Sequence, residues 1–237
     1  MTNEETTAGA TKQSTPVAKM RDPRKDDNGF LRLGKKIVTV LAGTDQEKFF
    51  VHYDLIAASS DFFAKALDGE FKEKDGVVRL EKVTAPNFSH YIQWLYDDKF
   101  DVGDKNFTVL LNLVILGNFL QDRLFGIAAT NYIIGKVLEI NCIPTALAEV
   151  AFSNLPPSHP FLNLLVDFWV YAGGPKWFSA LDRGDSLKND VKVGPADFWA
   201  RVAKGLMVKT KSGDGLYPWQ KNRCQYHQHI DGEARCS

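Results

Sequence analysis

Neither sign of charge predominates in this chain: 29 Lys and Arg stand against 29 Asp and Glu, and the formal net charge is zero. A nucleic-acid binder usually shows a basic excess on one face, so the balance argues against that class of partner. Cysteine is scarce as well. Cys142, Cys224 and Cys236 cannot build a disulfide framework and suit a reducing compartment. Long hydrophobic runs are missing too. The most apolar stretch, NFTVLLNLVILGNFL from Asn106, is too short for a membrane span and carries Asn112 and Asn118. No apolar segment of the signal-peptide kind stands near the start. The expectation is an intracellular protein of the cytoplasm, the nucleus or both, with no membrane or nucleic-acid partner.

Catalytic motifs are also lacking. Gly173-Gly174-Pro175 has no Lys-Ser/Thr to complete a phosphate loop. There is no Gly-x-Ser-x-Gly elbow and no His-Glu-x-x-His. Asp97, Asp98, Asp101 and Asp104 are interleaved with Lys99 and Lys105, which reads as a solvated loop and departs from calcium-loop spacing. Ile140 and Ile143 flank Cys142 and suggest an inert buried thiol. An enzyme is not expected.

What the chain does have is apolar material: 44% of its residues are hydrophobic and 12% aromatic, enough for one core or two small ones. Residues 1–29 contribute little to it. Rich in Thr, Lys, Asp and Glu, they are predicted to be disordered, and Lys19, Arg21, Arg24 and Lys25 read as a solvated linker diluted by Asp22, Asp26 and Asp27. IVTVLAG from Ile37 reads as a buried strand, Gly43-Thr-Asp-Gln as a turn and EKFFVH as the returning strand. YDLIAASS and SDFFAKALD follow as two short helices, with Ser60 or Asp61 able to cap the second. VVRLE after Gly76 is a third strand. From Pro86, the helical spacing of Phe88, Tyr91, Ile92, Leu95 and Tyr96 puts one face against the core.

Beyond Asn106 the pattern is helical throughout. A helix pair is predicted over 106–120 and 122–138, then TALAEVAF, then FLNLLVDFWVYAGG with Phe161, Leu164, Leu165, Phe168 and Trp169 on one face. In ADFWARVAKGLM, the residues Phe198, Val202 and Leu206 fall together. A helix pair following strands and short helices makes an α+β chain.

VHYDLIAASSDFFAKALDGEFKE resembles the signature of the BTB (POZ) domain family. The carriers are Val51, His52, Leu55, Ser60, Phe62, Phe63, Ala66, Leu67, Gly69, Phe71, Lys72 and Glu73, and VRLEKVTAPNFSHYIQWLYDDKF continues in the form common in fungal members. The resemblance implies a small mixed sheet flanked by helices over 30–138, an all-helical extension over 139–210 and a tail over 211–237. It implies a protein–protein interaction module, frequently a homodimer and in some members a substrate adaptor for a cullin-type ubiquitin ligase. Cullin-binding members tend to carry a hydrophobic-x-Glu element where this chain reads Phe88, Ser89 and His90, which departs from that pattern. Family dimerisation uses the segment before the first strand and the first helix, which here offer Phe30, Leu31, Leu33, Tyr53 and Ile56. The signature residues themselves are expected to pack in the core, with a nitrogen of His52 bonded to a nearby backbone group.

No cofactor is required by this reading. The tail CQYHQHIDGEARC nevertheless gathers Cys224, His227, His229 and Cys236, a donor set that zinc accepts tetrahedrally. The spacing is not one of the common zinc-finger spacings, and residues 227 and 229 of a strand would diverge. Three readings follow: a self-associating scaffold or regulatory adaptor, a cullin-ligase adaptor, and a metal-binding regulator built on a structural zinc.

Overall fold

A computed structural model of the chain describes residues 21–68, 76–103, 106–174, 194–209, 215–230 and 233. Their contacts define a main unit, Asp22–Gln228, which carries every strand and helix below, and a small second unit that includes Arg21 and the chain from His229 onward.

Strand β1 (Ile37–Ala42) is the centre of a three-stranded sheet in the order β2-β1-β3. Strand β2 (Glu47–His52) returns antiparallel to it, with Val38 opposite Val51 and Val40 opposite Phe49. The turn between them needs left-handed backbone at Gly43 (φ 77°), and Gln46 donates its N–H to the Gly43 carbonyl at 3.2 Å. Strand β3 (Val77–Leu80) lies parallel to β1 on the other side, with Val40 level with Val78. Alternation then divides the sheet. Val38, Val40, Val51, Val78 and Leu80 are buried on one face, while Ile37, Thr39, Phe50, Val77 and Arg79 take the other.

Helices α1 (Tyr53–Ser59) and α2 (Asp61–Asp68) add Leu55, Ile56, Phe63 and Leu67 to the apolar cluster that includes the sheet's inner face. Ser60 breaks the chain between them. Its hydroxyl accepts from the Phe63 N–H at 3.2 Å, capping α2, and donates to the Leu120 carbonyl at 2.5 Å. Helix α3 (Ala85–Asp97) buries Phe88, Tyr91, Trp94 and Leu95, a stripe rotated from the expected one so that Trp94 is inside and Ile92 and Tyr96 are only half-buried.

Helices α4 (Phe107–Phe119) and α5 (Arg123–Ile140) pack closely across the short turn 120–122. Gly117 permits the approach: a Cβ there would stand 3.0 Å from the Gly126 backbone. Helices α6 (Ala148–Asn154), α7 (Phe161–Asp167, continued by a wide turn over Phe168–Ala172), α8 (Ala196–Val208) and the short α9 (Pro218–Lys221) complete the α-helices among the described residues. One continuous apolar cluster runs from Val38 in the sheet to Trp219 and Tyr226 near the end. The helical part therefore shares the core of the sheet part.

Several expectations are corrected. Arg24 is buried, 3% exposed, where a solvated linker was expected. Cys142 is exposed and not a buried thiol. Leu206 is 53% exposed and borders a groove with Trp169, Trp199 and Val202, so it does not share the burial of Phe198 and Val202. Ile56, proposed for a partner surface, is fully buried in the chain's own core. Gly69 and Phe71 lie outside the described residues.

Candidate interaction surfaces and the tail cluster

The described signature residues pack in or against the core. Val51, Leu55, Ser60 and Phe63 are fully buried and Leu67 is buried, while Phe62 is half-buried against Phe119. His52 also packs, with a partner other than the one expected. Its Nδ1 lies 2.8 Å from the Tyr96 hydroxyl, which also accepts the His52 backbone N–H at 3.1 Å. One hydroxyl thus bonds both the ring and the backbone of His52, joining the end of β2 to α3.

Asp122 is a buried polar hub between the helices. As the N-cap of α5 it accepts the Phe125 N–H at 3.0 Å. Its other oxygen accepts the Ser59 hydroxyl at 2.5 Å and the Tyr91 hydroxyl at 2.9 Å. Burial pushes its carboxyl up to about 6, even though all three donors favour the anion. Burial and the neighbouring Asp122 raise the Tyr91 phenol well above its usual value, keeping it a donor.

The segment ahead of β1 wraps back onto α3. The Arg24 guanidinium lies over the Trp94 ring and donates to the carbonyls of Trp94 (3.0 Å) and Leu95 (3.3 Å) and to the carboxylates of Asp22 and Asp98. Lys25 adds a bond to Asp98 at 2.9 Å. Burial acts to raise the Asp22 and Asp98 carboxyls, but the hydrogen bonds and charges of Arg24 and Lys25 outweigh it and hold both below the usual range. The anchor sets where the following residues emerge. Leu31 packs on the core, whereas Phe30 (71%) and Leu33 (41%) face solvent. Tyr53 is half-buried, with the Lys36 ammonium 4.0 Å above its ring and its hydroxyl donating to Asp68.

The outer face of the sheet is the surface that sequence reading missed. Phe50 is 68% exposed and Ile37 48%. Residues directly opposite share a face, and Phe50 sits opposite Thr39, one pleat from Ile37. The signal was present in the alternation: with Phe49 and Val51 facing inward, Phe50 must face out.

In the tail, Trp219 and Tyr226 are buried, and the Tyr226 hydroxyl donates to Asp167 at 2.6 Å. Cys224, His227 and His229 are brought together, with one ligand atom from each within 4.8 Å of the others. Cys236 lies outside the described residues.

Residues 31–121 match the BTB/POZ domain family. The fold agrees with that match, and the chain contains a BTB/POZ domain, a protein–protein interaction module. The match ends just after α4, so α5 and the later helices extend beyond it. No curated protein matches the chain. Among the described residues, no helix is long and apolar enough to cross a membrane.

Proposed function

We propose that the chain is a non-enzymatic scaffold that self-associates through its BTB/POZ domain. The observation that supports this reading is the exposed apolar surface of Phe50 and Ile37 on the outer sheet face, together with Phe30 and Leu33 in the segment entering β1. Large apolar side chains grouped on one sheet face and its entry segment are what an association surface offers. Of the residues first expected there, Phe30, Leu33 and the half-buried Leu31 and Tyr53 remain available, and Ile56 does not.

An adaptor role toward a cullin gains no support. Phe88 is fully buried in α3, and Ser89 and His90 supply no carboxylate after it. Sedimentation of the full chain over a range of concentrations tests the scaffold reading: it requires a dimer or larger species, and a monomer throughout would remove it.

A further inference from the structure

We propose that Cys224, His227 and His229 hold one zinc ion, with water completing its tetrahedron. The three residues belong to one continuous stretch of six, so the local chain path brings their ligand atoms within 4.8 Å. Zinc bonds of about 2.0–2.3 Å place tetrahedral ligands roughly 3.3–3.8 Å apart, so contraction by about an ångström closes the site. The stretch is not a strand. A short 3-10 turn over Arg223–Tyr226 carries Cys224, and the chain bends at His227, which removes the divergence expected of residues 227 and 229.

The environment of the two imidazoles is an independent observation. His227 is buried, and its Nε2 lies 3.1 Å from Oδ1 of Asn131 on α5. The Nδ1 of His229 lies 3.3 Å from a carboxylate oxygen of Glu233. Each ring thus has a side-chain oxygen within reach of one of its nitrogens. Metal-bound histidines are held in this way, one ring nitrogen donating to a carbonyl or carboxylate while the other ligates. One thiolate and two imidazoles form a soft-to-borderline set that suits zinc and not the oxygen-preferring magnesium or calcium.

The turn is also firmly seated. The Asn222 side chain accepts the Cys224 N–H at 3.1 Å, Tyr226 is buried with its hydroxyl on Asp167, and Arg123 of α5 reaches the Gln228 carbonyl at 3.5 Å. A metal here would fasten a short segment already docked on α5 and α7. Ordering of the ligands before binding lowers the entropic cost of holding the ion.

The test uses the full chain in a Cys142→Ala background, which removes the exposed thiol. After incubation with Zn²⁺ and exhaustive dialysis, elemental analysis should find about one zinc per chain. Co²⁺ in its place should give the near-ultraviolet absorption of a thiolate-to-cobalt charge transfer. Cys224→Ala and His229→Ala should each abolish both signals. Asn131→Ala keeps every ligand and should weaken zinc affinity about 10–100-fold in a chelator competition. That last variant decides the matter should the ligand variants misfold. Absence of bound zinc in the parent chain, a folded Cys224→Ala chain with unchanged zinc, or an Asn131→Ala chain of parental affinity would each overturn the proposal.

Discussion

The Arg24 guanidinium carbon lies 3.9 Å from the centroid of the Trp94 ring, and the same group donates to the Trp94 carbonyl at 3.0 Å. A residue from the acidic and basic N-terminal stretch thus closes the C-terminal end of α3, where the dipole favours a cation and the Trp94 carbonyl also accepts the Asp98 N–H at 2.9 Å. Arginine suits the position because its planar fork can stack and donate at once. Arg24→Ala should lower stability by roughly 2–4 kcal/mol, from the lost charged hydrogen bonds and the lost cation–π contact. Arg24→Lys should restore less than half of it. Urea denaturation measures both; a change under about 0.5 kcal/mol for Arg24→Ala, the size of an ordinary surface substitution, would contradict the assignment.

Asp122 gives a pH dependence of definite sign. Its folded pKa is raised from 3.8 to about 6, so the native chain holds this proton more tightly than the unfolded chain does. The resulting stability is complete below 3.8 and is lost as pH rises through about 6. The full effect is on the order of 3 kcal/mol. Asp22 and Asp98 act in the opposite sense: their lowered values favour the fold above the usual carboxylate range and lose that contribution as pH falls through the folded values. Asp122→Asn should therefore flatten the stability profile between about pH 4 and 6 relative to the parent, while leaving the acid limb in place. Equal slopes for parent and variant across that interval would refute the claim.

Two glycines on facing helices should respond oppositely. A Cβ on Gly117 would stand 3.0 Å from Gly126 backbone atoms and 3.2 Å from the Phe125 ring, so Gly117→Ala must push α4 away from α5. A loss of about 1–3 kcal/mol is expected. A Cβ on Gly126 meets nothing within 4 Å, and Gly126→Ala should be neutral or stabilise by up to about 1 kcal/mol through helix propensity. Thermal or urea denaturation of the pair reads the difference. Similar losses in both would mean that the close approach at Gly117 is not the cause.

Period and punctuation carried most of the fold. Ile37–Ala42 and Val77–Leu80 were legible as strands because β-branched residues run up to Gly43 and begin after Gly76, and Glu47–His52 because the turn at Gly43 returns the chain. The helices α4 and α5 were legible because their apolar residues persist through several turns between the caps Asn106 and Asp122. Arg24 was not. Its local neighbours, Asp22, Asp26 and Asp27, look like solvated charge, and the ring it covers lies 70 residues away. Asp122 was readable as a cap, but not as the meeting point of Ser59 and Tyr91, since long-range hydrogen bonds leave no periodic mark. The tail set Cys224, His227, His229 and Cys236 was picked out by donor chemistry; the proximity of the first three depends on a bend at His227 that a strand-like reading of the tail would not supply, and Cys236 lies outside the described residues.

The outer sheet face remains the most consequential feature, because the proposed scaffold depends on it. Phe50→Lys places a charge at a 68% exposed position without touching the core, so the fold should survive. Sedimentation velocity of the full-length parent and of this variant, at matched concentrations, addresses the scaffold reading most directly. The account predicts a dimer or larger species for the parent and a shift to the mass of one chain for Phe50→Lys, with unchanged circular dichroism. A parent that sediments as a single chain at every concentration, or a variant that associates as the parent does, would contradict it.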